Sequence, residues 1–253
     1  MTMLQVSGLK RVFGGLVAVG GVSFDVREGD LLGLIGPNGA GKTTVFNVIS
    51  GVLRPSAGSV RFLGRDISGL PANRIVRRGL SRTFQAATLY PEATVIENAV
   101  RGTYAAARIG LMDCVRPAKW RAEAEEAAFK VLDLFGLSRR AGLKARELAY
   151  GEQRRLGVAI ALAGRPKLLM LDEPVAGLNP EEAAELARVL RQVKSERGVT
   201  MVLVEHHMRT VMGLCNRIVV LDQGMLIAEG TPAEIVANLR VIEAYLGKDA
   251  AHA

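Results

Sequence analysis

One motif near the start of the chain limits its possible folds more than any other feature. Gly36 to Thr43 reads Gly-Pro-Asn-Gly-Ala-Gly-Lys-Thr, which fits the pattern G-x-x-x-x-G-K-[ST]. An apolar segment, residues 31–35, precedes it, and a segment with helical spacing follows from residue 44. Between a strand and a helix, such glycines let backbone N–H groups point inward at phosphate oxygens, and the positive end of the helix attracts the same anion. The motif therefore predicts a nucleotide-phosphate site.

Each position of this loop has a predicted contact with a nucleoside triphosphate. Lys42 would reach the β- and γ-phosphates, and the hydroxyl of Thr43 would ligate Mg²⁺. The remaining contacts would come mainly from backbone N–H groups. The predicted phosphate-binding residues are Gly36, Pro37, Asn38, Gly39, Ala40, Gly41, Lys42, Thr43 and Thr44.

The second strong signal is a pair of adjacent carboxylates at the end of a predicted buried strand. Residues 168–171 are apolar, and Asp172, Glu173 and a proline follow them. Parallel sheets bind ligands beyond the carboxyl ends of their strands, so both side chains can approach a phosphate. Asp172 would hold Mg²⁺, and Glu173 would orient and deprotonate the attacking water. Alone, such a pair is typical of a solvated loop; together with the phosphate-binding loop, it indicates catalysis.

Strand and helix signals alternate over most of the chain. The predicted strands cover residues 4–6, 22–26, 31–35, 60–63, 168–171, 200–204 and 217–221, and helical stretches follow residues 42, 181 and 206. This alternation indicates an α/β fold with a mostly parallel sheet that is covered on both faces.

The middle of the chain has a different character. Between Val95 and Gly164 the strand signals disappear, and from Trp120 to Phe135 the apolar residues form one helical stripe that Gly136 is expected to end. We therefore expect a single domain over residues 1–253, with a nucleotide-binding core at 1–85 and 161–253 and a helical subdomain at 86–160.

A second helix start is marked near the end of the chain. Thr231, Pro232 and Glu234 combine an N-cap, a proline in the first turn and a capping-box glutamate. They predict one short helix with the apolar residues Ile235, Leu239, Ile242 and Leu246.

The composition is that of a globular protein with a basic surface. Charged residues make up 23% of the 253 residues, and the formal net charge is +8. No apolar run approaches the length that crosses a bilayer, and the two cysteines have neither metal-site nor disulfide spacing, which fits a reducing cytosol. The arginines are not interleaved with aromatic residues, so no nucleic-acid partner is expected. Solvated faces and attraction to an anionic membrane surface account for them, including the group Arg74, Arg77, Arg78 and Arg82.

The ordered set of motifs resembles the ATP-binding subunits of ABC transporters. Besides Gly36–Thr43, the segments that match in the family's order are Arg82-Thr83-Phe84-Gln85, Leu148–Arg155, Asp172-Glu173, Ala176–Pro180 and Val204-Glu205-His206. The resemblance covers nearly the whole chain. It implies a RecA-like P-loop NTPase core with a mostly parallel sheet, an antiparallel β portion and an inserted helical subdomain. It also implies ATP hydrolysis coupled to transport, with ATP and Mg²⁺ as cofactors.

The resemblance implies roles for individual side chains as well. Phe13 would stack on adenine, although an ordinary strand residue is an equal alternative. Gln85 would contact Mg²⁺ or the attacking water and would sense the membrane partner. His206 would donate to the γ-phosphate and hold the water and Glu173 in register, whereas the adjacent His207 is expected at the surface.

The signature segment departs from the family's commonest pattern, Leu-Ser-Gly-Gly-Gln. Ala149 replaces the serine that bonds the γ-phosphate of the nucleotide held by the other subunit, and Tyr150 replaces a glycine. Gly151 and the following helix start remain, so Ala149, Tyr150, Gly151 and Glu152 are still predicted contacts of that ATP. The lost charge-assisted hydrogen bond would cost about 1.5–3 kcal/mol, which predicts unequal hydrolysis at the two ATP sites when a sister ATPase is the partner.

With these departures, the chain resembles one subgroup, the LivG-type ATPases of branched-chain amino acid importers. The likeness is carried by Thr44–Gly51, Leu148–Leu156, Ala176–Pro180 and Val241–Gly247. It implies two membrane permease subunits, a sister ATPase or a second copy of this chain, and indirectly a periplasmic binding protein. The chain would be peripheral at the cytoplasmic face of the inner membrane, with residues 87–91 against a permease. Urea or short-amide import, lipopolysaccharide export and a soluble assembly ATPase are the alternatives.

Overall fold

The computed structural model describes residues 1–83, 89–106 and 117–246. The chain forms two compact units, Met1–Ile75 with Gly198–Ala253, and Val76–Arg197. Among the helices of the described residues, none is both long enough and apolar enough to span a bilayer.

The described residues contain ten strands and nine α-helices. The strands are β1 (Thr2–Phe13), β2 (Leu16–Arg27), β3 (Leu31–Ile35), β4 (Ala57–Phe62), β5 (Arg65–Asp66), β6 (Leu80–Arg82), β7 (Leu168–Asp172), β8 (Thr200–Val204), β9 (Arg217–Asp222) and β10 (Met225–Gly230). The helices are α1 (Lys42–Ile49), α2 (Ala72–Val76), α3 (Val95–Ala106), α4 (Pro117–Leu134), α5 (Tyr150–Ala163), α6 (Pro180–Arg197), α7 (Met208–Leu214), α8 (Pro232–Val236) and α9 (Leu239–Leu246).

In the first unit, three buried strands run parallel and end at one edge. Strand β3 pairs with β8 in the register Leu34 to Val204, and with β9 in the register Ile35 to Val220. Every residue of β3 and β8 is buried, as the continuous apolar runs predict for parallel strands. The segments that follow β3, β8 and β9 therefore emerge next to one another. The same unit holds an antiparallel sheet in the order β2-β1-β4-β5.

In the second unit, helices pack beside the parallel pair β6 and β7. The predicted apolar stripe is buried in α4 and just after it, at Ala124, Ala128, Val131, Leu132 and Phe135. Trp120, at the start of the stripe, stacks on Tyr104 of α3 with 4.8 Å between ring centroids. Gly136 has φ +66 just beyond the helix, which is the left-handed conformation that commonly ends helices and favours glycine.

Two parts of the sequence interpretation need correction. The hairpin strands β1 and β2 are twelve residues each, far longer than the predicted 4–6 and 22–26, because they pair with each other along their whole length, from Thr2 with Arg27 to Phe13 with Leu16. The single helix predicted after Thr231 is wrong, since two helices form there. The capping box is confirmed, with Glu234 Oε2 accepting from Thr231 N at 2.7 Å. The second helix starts at Leu239, and Oδ1 of the preceding Asn238 accepts from Arg240 N at 3.0 Å.

Candidate functional site

The phosphate-binding loop leaves β3 and enters α1 with a backbone that only glycine fits. Gly36, Gly39 and Gly41 have φ angles of +150, +81 and +96. A Cβ at Gly36 would lie 2.0 Å from the carbonyl oxygen of Leu221, and one at Gly41 would lie 2.6 Å from that of Ala18. Strands β9 and β2 therefore press directly against the loop backbone, which explains why two of these positions exclude a side chain.

The loop curls around the ammonium group of Lys42. That side chain is 8% exposed, and its Nζ donates to the carbonyl oxygens of Gly36 at 2.6 Å and Pro37 at 2.8 Å. The loop is closed further by a hydrogen bond from Gly224 N to Ala40 O at 3.1 Å. The predicted loop residues thus form one structure, in which a buried cation and a helix start both favour an anion.

The end of β8 brings two histidines to the sheet edge that carries this loop. His206 N donates to Oε2 of the buried Glu205 at 3.2 Å, and the Nδ1 atoms of His206 and His207 lie 4.0 and 3.5 Å from the same oxygen. The two imidazoles are 48% and 53% exposed. His207 is at the surface as predicted, and His206 is equally accessible.

Phe13 is the last residue of β1 and is 41% exposed. The guanidinium carbon of Arg11 lies 4.4 Å from its ring centroid, a cation–π contact that covers one face of the ring. An exposed aromatic ring in the unit of the phosphate-binding loop is compatible with stacking on a base. Adenine stacking therefore stays a prediction.

In the second unit, a buried ion pair holds Asp172. Its Oδ2 lies 2.7 Å from Nη2 of Arg82, and each side chain is 5% exposed. Asp172 N donates to Thr83 Oγ1 at 3.1 Å, and Thr83 N donates to Met170 O at 2.9 Å. The assignment of Arg82 to a solvated basic face is therefore wrong: parallel pairing of β6 with β7 carries it to the acidic residue. Arg82 belongs to the matched segment Arg82-Thr83-Phe84-Gln85, but that resemblance gives it no acidic partner.

Glu173 has an unusual backbone for a residue with a side chain. Its φ is +46, in the left-handed region. Ala176 N donates to Glu173 O at 3.1 Å, and Leu178 N donates to Val175 O at 3.1 Å, so the segment after β7 is a series of tight turns. Strain of this kind costs about 1–3 kcal/mol and is concentrated at functional sites.

The signature segment starts helix α5, and Ala149 is its N-cap residue. Alanine has no side-chain acceptor, but Glu152, the third residue of the helix, accepts from Ala149 N through Oε2 at 3.1 Å and so caps the helix. Gly151 is buried against α6, where a Cβ would lie 2.3 Å from Oε1 of Glu182. The sequence predicts the helix start. It does not predict the contact of Glu182 with Gly151, because Glu182 belongs to no motif of its own.

The donor groups available for Mg²⁺ fit that ion. The hydroxyl of Thr43 and the carboxylate of Asp172 are hard oxygen ligands, the class that Mg²⁺ prefers. Thr43 is exposed at the first turn of α1, and the ion pair with Arg82 orients the Asp172 carboxylate. Gln85, the third predicted ligand, lies outside the described residues.

Comparison with known families agrees with this geometry. Residues 19–176 match the family described as ABC transporter. The chain belongs to the ABC transporter family. Residues 225–251 of this ABC ATPase match a second family, described as Branched-chain amino acid ATP-binding cassette transporter.

Several relatives of this ABC ATPase match along its length. It is 45% identical, over 97% of the chain and 98% of the relative, to the high-affinity branched-chain amino acid transport ATP-binding protein LivG of Salmonella typhimurium. It is 44% identical, over the same shares, to the corresponding protein BraF of Pseudomonas aeruginosa. The lipopolysaccharide export system ATP-binding protein LptB of Escherichia coli is 32% identical over 98% of the chain and 99% of the relative.

Solved structures confirm the fold class. A nucleotide-free ATP-binding cassette from an ABC transporter superposes with a TM-score of 0.86 at 32% identity, over 98% of this chain and all of that one. The ADP conformation of such a cassette gives the same values. This ABC ATPase is therefore a nucleotide-binding, ATP-hydrolysing enzyme with the predicted α/β fold, and it is a subunit of the kind found in transporter complexes.

Proposed function

We propose that this ABC ATPase powers the import of branched-chain amino acids. The match of residues 225–251 to the branched-chain family carries the proposal, because that segment lies outside residues 19–176, which match the general ABC transporter family. The relatives named for branched-chain transport are 36–45% identical, against 32% for the relative named for lipopolysaccharide export. No observation favours urea or short amides.

The proposed chemistry assigns one task to each residue. Backbone N–H groups between Gly36 and Thr44, other than at Pro37, and the ammonium of Lys42 would bind the phosphates, and Phe13 would stack on adenine. Thr43, Gln85 and Asp172 would hold Mg²⁺, which would neutralise charge on the phosphates. Glu173 would take the proton of the attacking water, and His206 would donate to the γ-phosphate.

The signature residues would serve the opposite nucleotide. Ala149, Tyr150, Gly151 and Glu152 would face the ATP held by a partner ATPase, either a second copy or a sister chain. The cap that Glu152 forms at Ala149 supports a rigid helix start there. Closure of the two ATPases around ATP would then drive two permease subunits, supplied with solute by a periplasmic binding protein, at the cytoplasmic face of the inner membrane.

The domain arrangement remains part of this proposal. A single ABC ATPase domain over residues 1–253 would have its nucleotide-binding core at 1–85 and 161–253. The helical subdomain at 86–160 would carry the signature segment and the permease contact at 87–91, of which 87 and 88 lie outside the described residues.

The test combines uptake with two variants that separate binding from turnover. A strain lacking this gene is expected to lose uptake of labelled leucine, and the wild-type chain should restore it. Glu173→Gln should retain ATP and give no phosphate release, whereas Lys42→Ala should lose ATP affinity. Restored urea uptake without leucine uptake would refute the substrate, and near wild-type turnover in Glu173→Gln would remove the base.

A further inference from the structure

The tyrosine that replaces the usual signature glycine is bound to the segment after the acidic pair. Tyr150 Oη donates to the carbonyl oxygen of Ala176 at 3.2 Å. Arg154, one turn along the same helix, donates from Nε to the Tyr150 hydroxyl at 3.0 Å, so the phenol is held at both its donor and its acceptor positions. Although half exposed, Tyr150 is therefore anchored.

The ring of Tyr150 also packs on Gly177. A Cβ at that glycine would lie 2.9 Å from Cε1 and 3.0 Å from the hydroxyl oxygen of Tyr150. Gly177 has φ +77, a conformation that favours glycine, and a Cβ there would displace the ring from its present position. The tyrosine and the glycine are thus matched in shape.

Two hydrogen bonds link this contact to the backbone of Glu173. The Ala176 residue whose carbonyl accepts from Tyr150 donates its own N–H to Glu173 O at 3.1 Å. Glu173 has the strained φ of +46, a conformation that persists only where its surroundings hold it. Tyr150 therefore reaches the strained residue through one intervening residue.

A second connection between the same segments runs through Glu182. Oε2 of Glu182 accepts from Asn179 N at 3.1 Å, and Asn179 Oδ1 accepts from Glu182 N at 2.8 Å. The other carboxylate oxygen of Glu182, Oε1, packs against Gly151. The signature segment is consequently connected to residues 173–179 twice, through Tyr150 at Ala176 and through Glu182 at Asn179, within one compact unit.

We propose that Tyr150 is a positioning residue that sets the backbone of Glu173 through Ala176. It would couple the signature segment, which contacts the nucleotide of one site, to the base of the other. The inference rests on the proposed roles of Glu173 and of the signature segment. A glycine or serine at position 150 could not make this connection, because neither reaches the Ala176 carbonyl.

The test is Tyr150→Phe in the purified full chain, which keeps the ring and removes the hydroxyl. Hydrogen exchange at the amides of Ala176 and Leu178 is expected to be about 2- to 12-fold faster, the change that corresponds to one net hydrogen bond. The kcat for ATP should fall by a similar factor, of about 2- to 12-fold, while the affinity of the phosphate-binding loop for ATP, titrated in the monomeric chain, stays unchanged. Tyr104→Phe is the matched control, since it removes a phenol hydroxyl elsewhere in the same unit.

Each outcome decides one step. Unchanged exchange in Tyr150→Phe would overturn the connection itself. Faster exchange with unchanged kcat would overturn the coupling to Glu173, and a lower kcat without faster exchange would place the effect of Tyr150 elsewhere. If Glu173→Gln keeps its turnover, the proposed base fails, but the exchange measurement still reports on the Tyr150 connection.

Discussion

Breaking the ion pair between Arg82 and Asp172 should destabilise the protein far more than breaking a surface pair. Both side chains are 5% exposed and their charged atoms are 2.7 Å apart. Arg82→Met keeps most of the side-chain volume but leaves a buried carboxylate without its cation. The expected loss in free energy of unfolding is about 3–5 kcal/mol, because removing one partner leaves the other charge uncompensated.

A double-mutant cycle measures the coupling directly. Arg82→Met, Asp172→Asn and the double variant would be unfolded in urea, and the fluorescence of Trp120 would report the transition. Trp120 is the only tryptophan of the chain and belongs to the same compact unit. The double variant should be more stable than the sum of the single losses predicts, since it buries neither charge alone.

Arg146→Met is the matched control. Arg146 also pairs with a carboxylate, that of Glu92 at 2.6 Å, but the two side chains are 55% and 64% exposed. Solvent screens such a pair, so the urea midpoint of Arg146→Met should be nearly the same as that of the wild-type chain. Additive losses in the cycle, or an Arg82→Met variant as stable as the control, would refute a stabilising role for the buried pair.

Two further predictions concern the first unit. Gly36→Ala should abolish ATP binding, because its Cβ would meet a backbone carbonyl oxygen at 2.0 Å. Gly39→Ala, with nothing within 4 Å of its Cβ, should cost only about 1–2 kcal/mol of backbone strain. Equilibrium titration with a fluorescent ATP analogue compares the two variants, and equal losses of ATP affinity would contradict the steric reason. Burial raises the pKa of Asp30, but hydrogen bonds from Asn216, a backbone N–H and Arg217 outweigh it and hold that pKa below the ordinary 3.8. The folded pKa thus lies below the unfolded one, so the carboxylate stabilises the fold above about pH 4 and loses that effect as the pH falls. Asp30→Asn should therefore lose about 1.5–3 kcal/mol at pH 7 and less at pH 3 in urea unfolding, and an equal loss at both would refute the assignment.

The sequence was sufficient where the signal is local. The glycines and lysine of residues 36–43 lie within eight positions, so their pattern alone predicts a phosphate-binding loop between strand and helix. The buried strands at 31–35 and 200–204 were predicted well because continuous apolar runs need no knowledge of their neighbours. The long hairpin was underestimated, since the residues near its turn are stabilised as strand by pairing between β1 and β2.

Tertiary structure alone assigned Arg82 and Tyr150 their partners. Arg82 and Asp172 are 90 positions apart, and the arginine resembles its exposed neighbours until the β6–β7 pairing buries it. In the sequence, Tyr150 is only a replacement of the usual signature glycine. In the folded chain its hydroxyl donates a hydrogen bond to the carbonyl oxygen of Ala176, 26 positions away. Amino-acid types and their order determine which chemical groups are available. Burial and long-range proximity, which decide how strongly those groups interact, arise only when the chain has folded.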